Sequence, residues 1–471
     1  MEGKVRGARR MAAQTTRRVV AGAALGAAGA LTLGGGLAGL RPARAQQDAP
    51  QQQGPGPNPW REPEVILSVD GVLEATLDAR PLPSAGPGNL AYSGSMPGPT
   101  LRVRPGDTMR VRLENNLGTD MTNLHVHGLH VSPEGNSDNI FVMLENGQAF
   151  DYEYVIPENH PSGLYWYHPH HHGDATEQVG GGLVGAIVVE GGLDDLPEIA
   201  EMFERMFVVQ ALQPSTNGAD CTVNGVVNPV VAMRPGQSQH WRIANVSANA
   251  YLDLEFEGHK LFVIGLDGNP VPEPIAYEHI QMGPGERIQA VVQANETGTF
   301  RLKSRAWGTL GQAQPEFTVA TVEVAGSPMV PLPIPDRIIP LQDYAGVEIA
   351  KQRVMTFQEG VGSIPFAIND LAFDPAVVNT TVKLGTVEEW ILRNTSPDWH
   401  PFHIHVEDFQ VMSVNGVPFP YVNRQDTVSI PPHGSVVIRI EFSDFPGKYV
   451  YHCHILSHED FGMMSIIEAL P

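Results

Sequence analysis

Cysteine is almost absent from this 471-residue chain: only Cys221 and Cys453 occur. Two sulfurs cannot furnish a cysteine-rich zinc or iron–sulfur scaffold, so metal chemistry here has to use other ligands as well. Basic residues are also scarce, 30 Lys and Arg against 52 Asp and Glu, a formal charge of −22. Eight bases and one acid fall in the first 45 residues; without that +7 the remainder carries −29. So acidic a surface disfavours nucleic acid and attracts cations or tolerates neutral substrates, while serving solubility in any case. Outside one stretch near the N-terminus, no apolar run is long enough to cross a membrane. Turn formers, by contrast, are plentiful: 49 Gly and 40 Pro, scattered without a period, suit an all-β protein better than a helical one. The length allows about three domains of ordinary size.

The N-terminal exception reads as a removable segment. Arg17 and Arg18 precede a Gly/Ala/Leu stretch from Val19 to Leu40, followed by Ala43-Arg44-Ala45, a small-x-small cleavage pattern. Residues 1–45 resemble a twin-arginine export signal, which implies an extracytoplasmic protein, periplasmic, cell-surface or secreted, with no stable membrane span after cleavage. An uncleaved anchor is the rival reading; the glycine content and the Ala-x-Ala favour cleavage after Ala45. A Gln/Pro/Gly linker follows, residues 46–59.

An internal repeat sets the architecture. VRPGDTMRVRLENNL from Val103, MRPGQSQHWRIANVS from Met233 and VKLGTVEEWILRNTS from Val382 align without gaps. Gly106, Gly236 and Gly385 make a turn in each, and Asn115, Asn245 and Asn394 end an alternating strand. A second set aligns too: GLYWYHPH from Gly163, GTFRLKSR from Gly298 and GKYVYHCH from Gly447. The expectation is three related β-domains, at 60–191, 192–335 and 336–471. At equivalent positions the first copy has His168 and His170, the third has His452 and His454, and the second has Lys303 and Arg305. The middle domain therefore reads as a metal-free spacer between two metal-bearing partners.

Chemistry concentrates in four short motifs: His125-Val-His127, His168-Pro-His170, His400-Pro-Phe-His403-Ile-His405 and His452-Cys453-His454 with His458. On a strand, His-x-His puts both imidazoles on one face, and two pairs from each of two domains could wall a polynuclear copper site. In the last motif Cys453 faces away from His452 and His454, so one tripeptide could serve two centres. His458 and Met463 could complete a His/Cys/Met set, the ligand combination of an electron-transferring blue copper. A zinc hydrolase would have no need of the Cys453/Met463 combination. With Cys453 wanted as a thiolate, Cys221 has no disulfide partner and reads as a plain buried or partly buried thiol.

These motifs, in this order, resemble those of the three-domain multicopper oxidases, the laccase and cuprous oxidase family, over essentially the whole mature chain. The resemblance implies three tandem cupredoxin-like Greek-key β-sandwich domains and four copper ions per chain. Carried across by motif, His400, Cys453, His458 and Met463 hold a type 1 copper and His125 and His403 a type 2 copper. His127, His168, His170, His405, His452 and His454 hold a type 3 pair. Electrons from a reductant would enter at the type 1 copper and pass through Cys453 to His452 and His454, and dioxygen would be reduced to water. Asp138 and Glu459 stand where the family places acids for proton relay; orientation of the ligands is the alternative role for both.

Some positions depart from the family. Val126 stands where a Trp is usual, which leaves the ligands intact and changes the packing around them. His130, His171 and His172 lie beside the motifs; His172 reads as a neighbour of the ligands, the other two as exposed or packing histidines. Met463, in place of Leu or Phe, implies a type 1 potential in the lower part of the family range, and Met464 would point to the opposite face. Phenols or aromatic amines are the expected reductants. Cuprous or another metal ion is the alternative, weakened because Ile338–Pro375 holds only Met355 and no Met immediately precedes His400. A non-catalytic copper-binding protein would be betrayed by lost ligands, and none is lost; the third domain argues against a two-domain nitrite reductase. One chain can assemble the interdomain cluster, so a monomer is expected.

Overall fold

The computed structural model describes residues 58–83, 89–211, 221–308 and 312–471; the export-signal segment and most of the linker lie outside them. Among the described residues no helix is long and apolar enough to cross a membrane. Strands dominate, and they form three successive pairs of sheets, drawn from Val65–Val189, Phe203–Val324 and Lys351–Leu470. Sheet neighbours are mostly non-consecutive in sequence, the signature of Greek-key sandwiches.

The first repeat supplies the equivalent strand of each pair: Thr108–Asn115, Gln237–Asn245 and Thr386–Asn394. Each pairs in parallel with an earlier strand (Val72–Pro81, Phe203–Ala211, Lys351–Val361) and antiparallel with a later one (Ala149–Val155, Arg287–Ala294, Ser435–Phe442). The preceding Gly106, Gly236 and Gly385 have φ of +89°, +78° and +73°, a region closed to most side chains. The closing asparagine is used the same way three times. Asn115 Nδ2 donates to Asp120 O, Asn245 Nδ2 to Ala250 O and Asn394 Nδ2 to Asp398 O, while each Oδ1 accepts from the backbone N–H two residues on. A buried asparagine that satisfies the corner it ends explains why the repeat keeps one there.

Each sandwich has its own core, containing among others Leu77, Val111 and Tyr165 in the first, Phe207, Trp241 and Val322 in the second, Trp390, Phe402 and Tyr451 in the third. Burying one such side chain is worth about 1.5–3 kcal/mol. Cys221 lies inside the second core, where burial pushes its thiol up to about 12. It is a plain buried thiol, as the cysteine arithmetic implied.

The middle repeat strand differs from expectation. Thr108–Asn115 alternates buried and exposed residues, but Gln237–Asn245 is buried at every position after its first. Its second face is covered by the first domain: Leu164, Trp166 and Val188 pack with Met206, Val208 and Ala244 in one apolar cluster that also takes Leu456 of the third domain. The charged Arg242 on this strand is held there by Glu204, Asp194 and Gln289. The middle domain is thus fused to the first over a dry face.

Candidate metal centre

The four motifs meet at the seam between the first and third domains. Strand His125–His127 pairs with Gly163–His168, setting His125 opposite His168. Strand His400–Ile404 pairs with Gly447–Cys453, setting His403 opposite His452 and Phe402 opposite Cys453. Rings from the two domains stack across the seam, His125 on His405 and His127 on His403, each at 3.7 Å between centroids. Potential donor atoms lie within 4.8 Å of one another in three groups: His125, His127 and His403; His127, His168 and His454; His170, His405 and His452. The family resemblance grouped His127, His168, His170, His405, His452 and His454 as one set, and the folded chain divides them into two triples.

The hydrogen bonds say which nitrogen each ring presents. His168 Nδ1 faces Pro169 O, His403 Nδ1 faces Asp426 O and His452 Nδ1 faces Cys453 O; a carbonyl can only accept, so these atoms carry the proton. His125 Nδ1 is likewise engaged by the Asp138 carboxylate at 2.9 Å. The opposite nitrogen is then a bare lone pair. Nε2 of His125, His168 and His403 has no hydrogen-bond partner, although buried. His170 Nε2 and His405 Nε2 stand 3.1 and 3.3 Å from His452 Nε2, and His454 Nε2 stands 3.2 Å from His127 Nδ1. Burial, then the neighbouring imidazoles, lowers the pKa of His125, His127, His168, His170, His405, His452 and His454 well below the ordinary histidine range. Neutral imidazoles turned lone pair toward lone pair in a dry space fit bound cations, and the all-nitrogen donor set suits copper.

Cys453 belongs to a second group. Its Sγ lies 3.5 Å from His400 Nδ1 and 3.8 Å from His458 Nδ1, and these two nitrogens are 3.3 Å apart. Ser396 Oγ, 2.7 Å from His400 Nε2, engages the far side of that ring. Burial pushes the Cys453 thiol far above its usual range, so a thiolate there calls for a metal cation beside it. Met463 is fully buried in the same apolar cluster as Cys453, whereas Met464 packs in another with Ile140 and Val450, so the two do point to different faces.

The two acids are placed differently. Both oxygens of Asp138 are occupied, by His125 Nδ1 and by the Val126 N–H at 3.0 Å, and burial raises its carboxyl to about 8. Glu459, on the short helix Leu456–Asp460, is fully buried with neither oxygen hydrogen-bonded; burial and then Asp460 raise its pKa well above the carboxylate range. His172, half-exposed, brings its Nδ1 to 3.5 Å from Glu459 Oε1. Asp460 accepts from the N–H groups of Gly173, Ala175 and Thr176 and so fastens the third domain to the first. Of the remaining histidines, His130 bonds Val406 O and Asp444, and His171 bonds Asp174.

Family models described as multicopper oxidase match residues 81–193, 205–324 and 346–469, three-quarters of the chain. The chain belongs to the multicopper oxidase family. As such it is a copper-dependent oxidoreductase with dioxygen as acceptor. A multicopper oxidase of Staphylococcus haemolyticus is 29% identical over 403 residues, covering 80% of this chain and 83% of that protein. A laccase of Bacillus subtilis is 25% identical, covering 79% and 88%. The fold matches the crystal structure of the McoA multicopper oxidase of Aquifex aeolicus with a TM-score of 0.76, over 87% of this chain and 98% of that one, at 24% identity.

Three residues of this multicopper oxidase site escaped the sequence reading. Trp166 stacks on His168 at 4.2 Å and tilts against His127 and His454, supplying an aromatic wall to that triple, while Val126 is taken into the first core. Asp426 accepts from His127 Nε2 at 2.9 Å, and Arg287 grips Asp426 with two bonds of 2.7 and 2.6 Å. Burial works against ionisation of Asp426; Arg287 and His403 outweigh it and hold its carboxyl at about 2.

Proposed function

We propose that this multicopper oxidase takes single electrons from phenols or aromatic amines, as a laccase does, and delivers four of them with four protons to dioxygen to give two waters. In this reading His400, Cys453, His458 and Met463 hold a type 1 copper and His125 and His403 a type 2 copper. His127, His168 and His454, with His170, His405 and His452, hold the type 3 pair. Copper supplies the one-electron redox chemistry at these four positions. The observation that carries the reading is Cys453 itself: its sulfur lies in one donor group, and its two peptide neighbours, His452 and His454, lie in the other.

The surroundings of His458 support an organic donor. His458 is the one member of its group not fully buried, and the Phe366 ring stacks on it at 4.1 Å. Phe461 is 63% exposed and Leu371 52%, and Gly462 lies against Phe366 and Ala372, so an apolar rim stands beside the partly buried ligand. An aromatic ring is suited to such a surface. Met355, the one thioether of the preceding segment, is buried with its sulfur accepting from Asn369 and Tyr451, a poor collector of cuprous ions. Asp138, with both oxygens engaged, orients His125; Glu459, unpaired beside His172, holds and releases protons. The protein acts as an exported monomer, carried by the twin-arginine-type segment.

The test is oxygen uptake by the copper-loaded protein with a phenolic donor and with cuprous ion, Cys453→Ser serving as control. Phenol-driven uptake that vanishes in the variant is expected. Uptake with cuprous ion alone moves the assignment to a metal-ion oxidase, and no uptake with either donor refutes catalysis.

A further inference from the structure

The metal-free middle domain reaches the histidine cluster through one turn, Gly283–Arg287. Gly285, at φ +90°, lies so close that a Cβ there would stand 3.0 Å from both His127 Cε1 and His454 Cδ2. Two residues on, the fully buried Arg287 ties all three domains at one point. Its Nε donates to Leu164 O of the first domain, its Nη1 to Gly285 O of its own, and both Nη atoms to the Asp426 carboxylate of the third. The approach is built in from the other side as well. Gly128, directly after His127, has φ +84°, and a Cβ there would collide with the Asp426 carboxylate and the Arg287 guanidinium. Thr427 Oγ1 also donates to Asp426 Oδ1, so that carboxylate has one geometry open to it.

We propose that Arg287 is a positioning residue of the copper centre: by fixing Asp426 it makes His127 Nε2 a proton donor and aims Nδ1 at the space shared with His168 and His454. The inference rests on the trinuclear reading above. His127 is thereby the inverse of His168 and His403, whose Nδ1 carries the proton, and the difference is imposed from a domain that contributes no ligand. A bidentate guanidinium is what the task requires. It holds both oxygens of Asp426 in one plane, so that Oδ1 is fixed where His127 Nε2 and Thr427 Oγ1 also converge on it, and a lysine ammonium cannot reproduce that fork.

The experiment uses the full chain loaded with copper, as wild type, Arg287→Gln, Arg287→Lys and Asp426→Asn. The readouts are copper per chain under chelator competition, the type 2 EPR spectrum, the near-ultraviolet band of the type 3 pair, and the blue type 1 absorption as internal control. Arg287→Gln and Asp426→Asn are expected to keep the blue absorption and to lose roughly 10- to 100-fold in affinity for the cluster copper, with a weakened near-ultraviolet band of the type 3 pair. Arg287→Lys is expected in between. Full copper and an unchanged type 3 band in both strong variants, even with a lowered melting point, would make Arg287 interdomain glue and overturn the proposal. Should Arg287→Gln fail to fold, the shape-conserving Asp426→Asn decides alone. Wild type that loads copper without type 2 and type 3 signals overturns the trinuclear reading itself, and the inference with it.

Discussion

Replacing Asp138 by Asn separates orientation from proton relay. The carboxylate accepts from His125 Nδ1 at 2.9 Å and from the Val126 N–H at 3.0 Å, both in a buried pocket. Asparagine has the same shape and one acceptor, which the Val126 N–H claims. Its amide NH₂ then faces His125 Nδ1 and can be satisfied only if that nitrogen gives up its proton. The proton moves to Nε2, the atom now partnerless and turned into the cluster. Above about pH 8, where the Asp138 carboxyl is ionised, the loss of a charge-assisted hydrogen bond is worth about 1.5–3 kcal/mol, a factor of roughly 10 to 150 in the affinity of a metal at His125. Chelator competition followed by type 2 EPR measures that factor directly. Superimposable competition curves for Asp138→Asn and wild type would falsify the tautomer argument. If such a fully loaded variant also lost turnover with a changed pH profile, Asp138 would be a relay.

Glu459→Gln is expected to leave copper content unchanged and to lower kcat for oxygen uptake by about 100-fold or more with KM for the donor little moved, because it removes a positioned proton carrier; stopped-flow oxygen consumption across pH reads this, and an unchanged kcat refutes it. His160 is buried, and burial lowers its pKa to about 4. Its folded pKa lies below its unfolded value, so the unfolded chain binds the extra proton; its contribution is present above about 6.5 and is lost as pH falls toward 4. His160→Gln should flatten the decline of stability over that window by up to about 1.4 kcal/mol per pH unit, measured by denaturant titration at several pH values. Asn245→Ala removes bonds to Ala250 O and Met282 O and one from the Ser247 N–H. Denaturant unfolding should show a loss of roughly 2–5 kcal/mol, and a loss under 1 kcal/mol contradicts the shared role given to Asn115, Asn245 and Asn394.

Local features were legible in the sequence because they depend on local physics. A His-x-His pair on a strand shares a face whatever the rest of the chain does, and the repeat asparagines end their strands by bonding to residues nearby, Asp120, Ala250 and Asp398. Long-range pairings left no such trace. Arg287 and Asp426 are 139 residues apart and belong to no periodic pattern, and nothing in strand spacing says that His168 joins His454 while His170 joins His452. The glycine after His127 was the available hint: Gly128 marks a close approach, though not what approaches. The middle repeat strand was read as one-sided because its aligned sisters are; Trp241 and Ile243 do alternate with His240, Arg242 and Ala244, and the cover over that second face comes from the first domain, which strand spacing does not report.

The contrast between the two faces of the first domain bears on how the molecule comes together. Against the middle domain it offers an apolar layer of Leu164, Trp166 and Val188 that buries itself without assistance. Against the third it offers imidazoles whose nitrogens stand 3.1 and 3.2 Å from those of His452 and His454, a polar layer with no apolar cover of its own. The first joint is therefore closed by apolar burial, whereas the second sets direct bonds, Asp460 to Gly173, Ala175 and Thr176, around a layer of imidazoles whose crowding a bound cation would relieve.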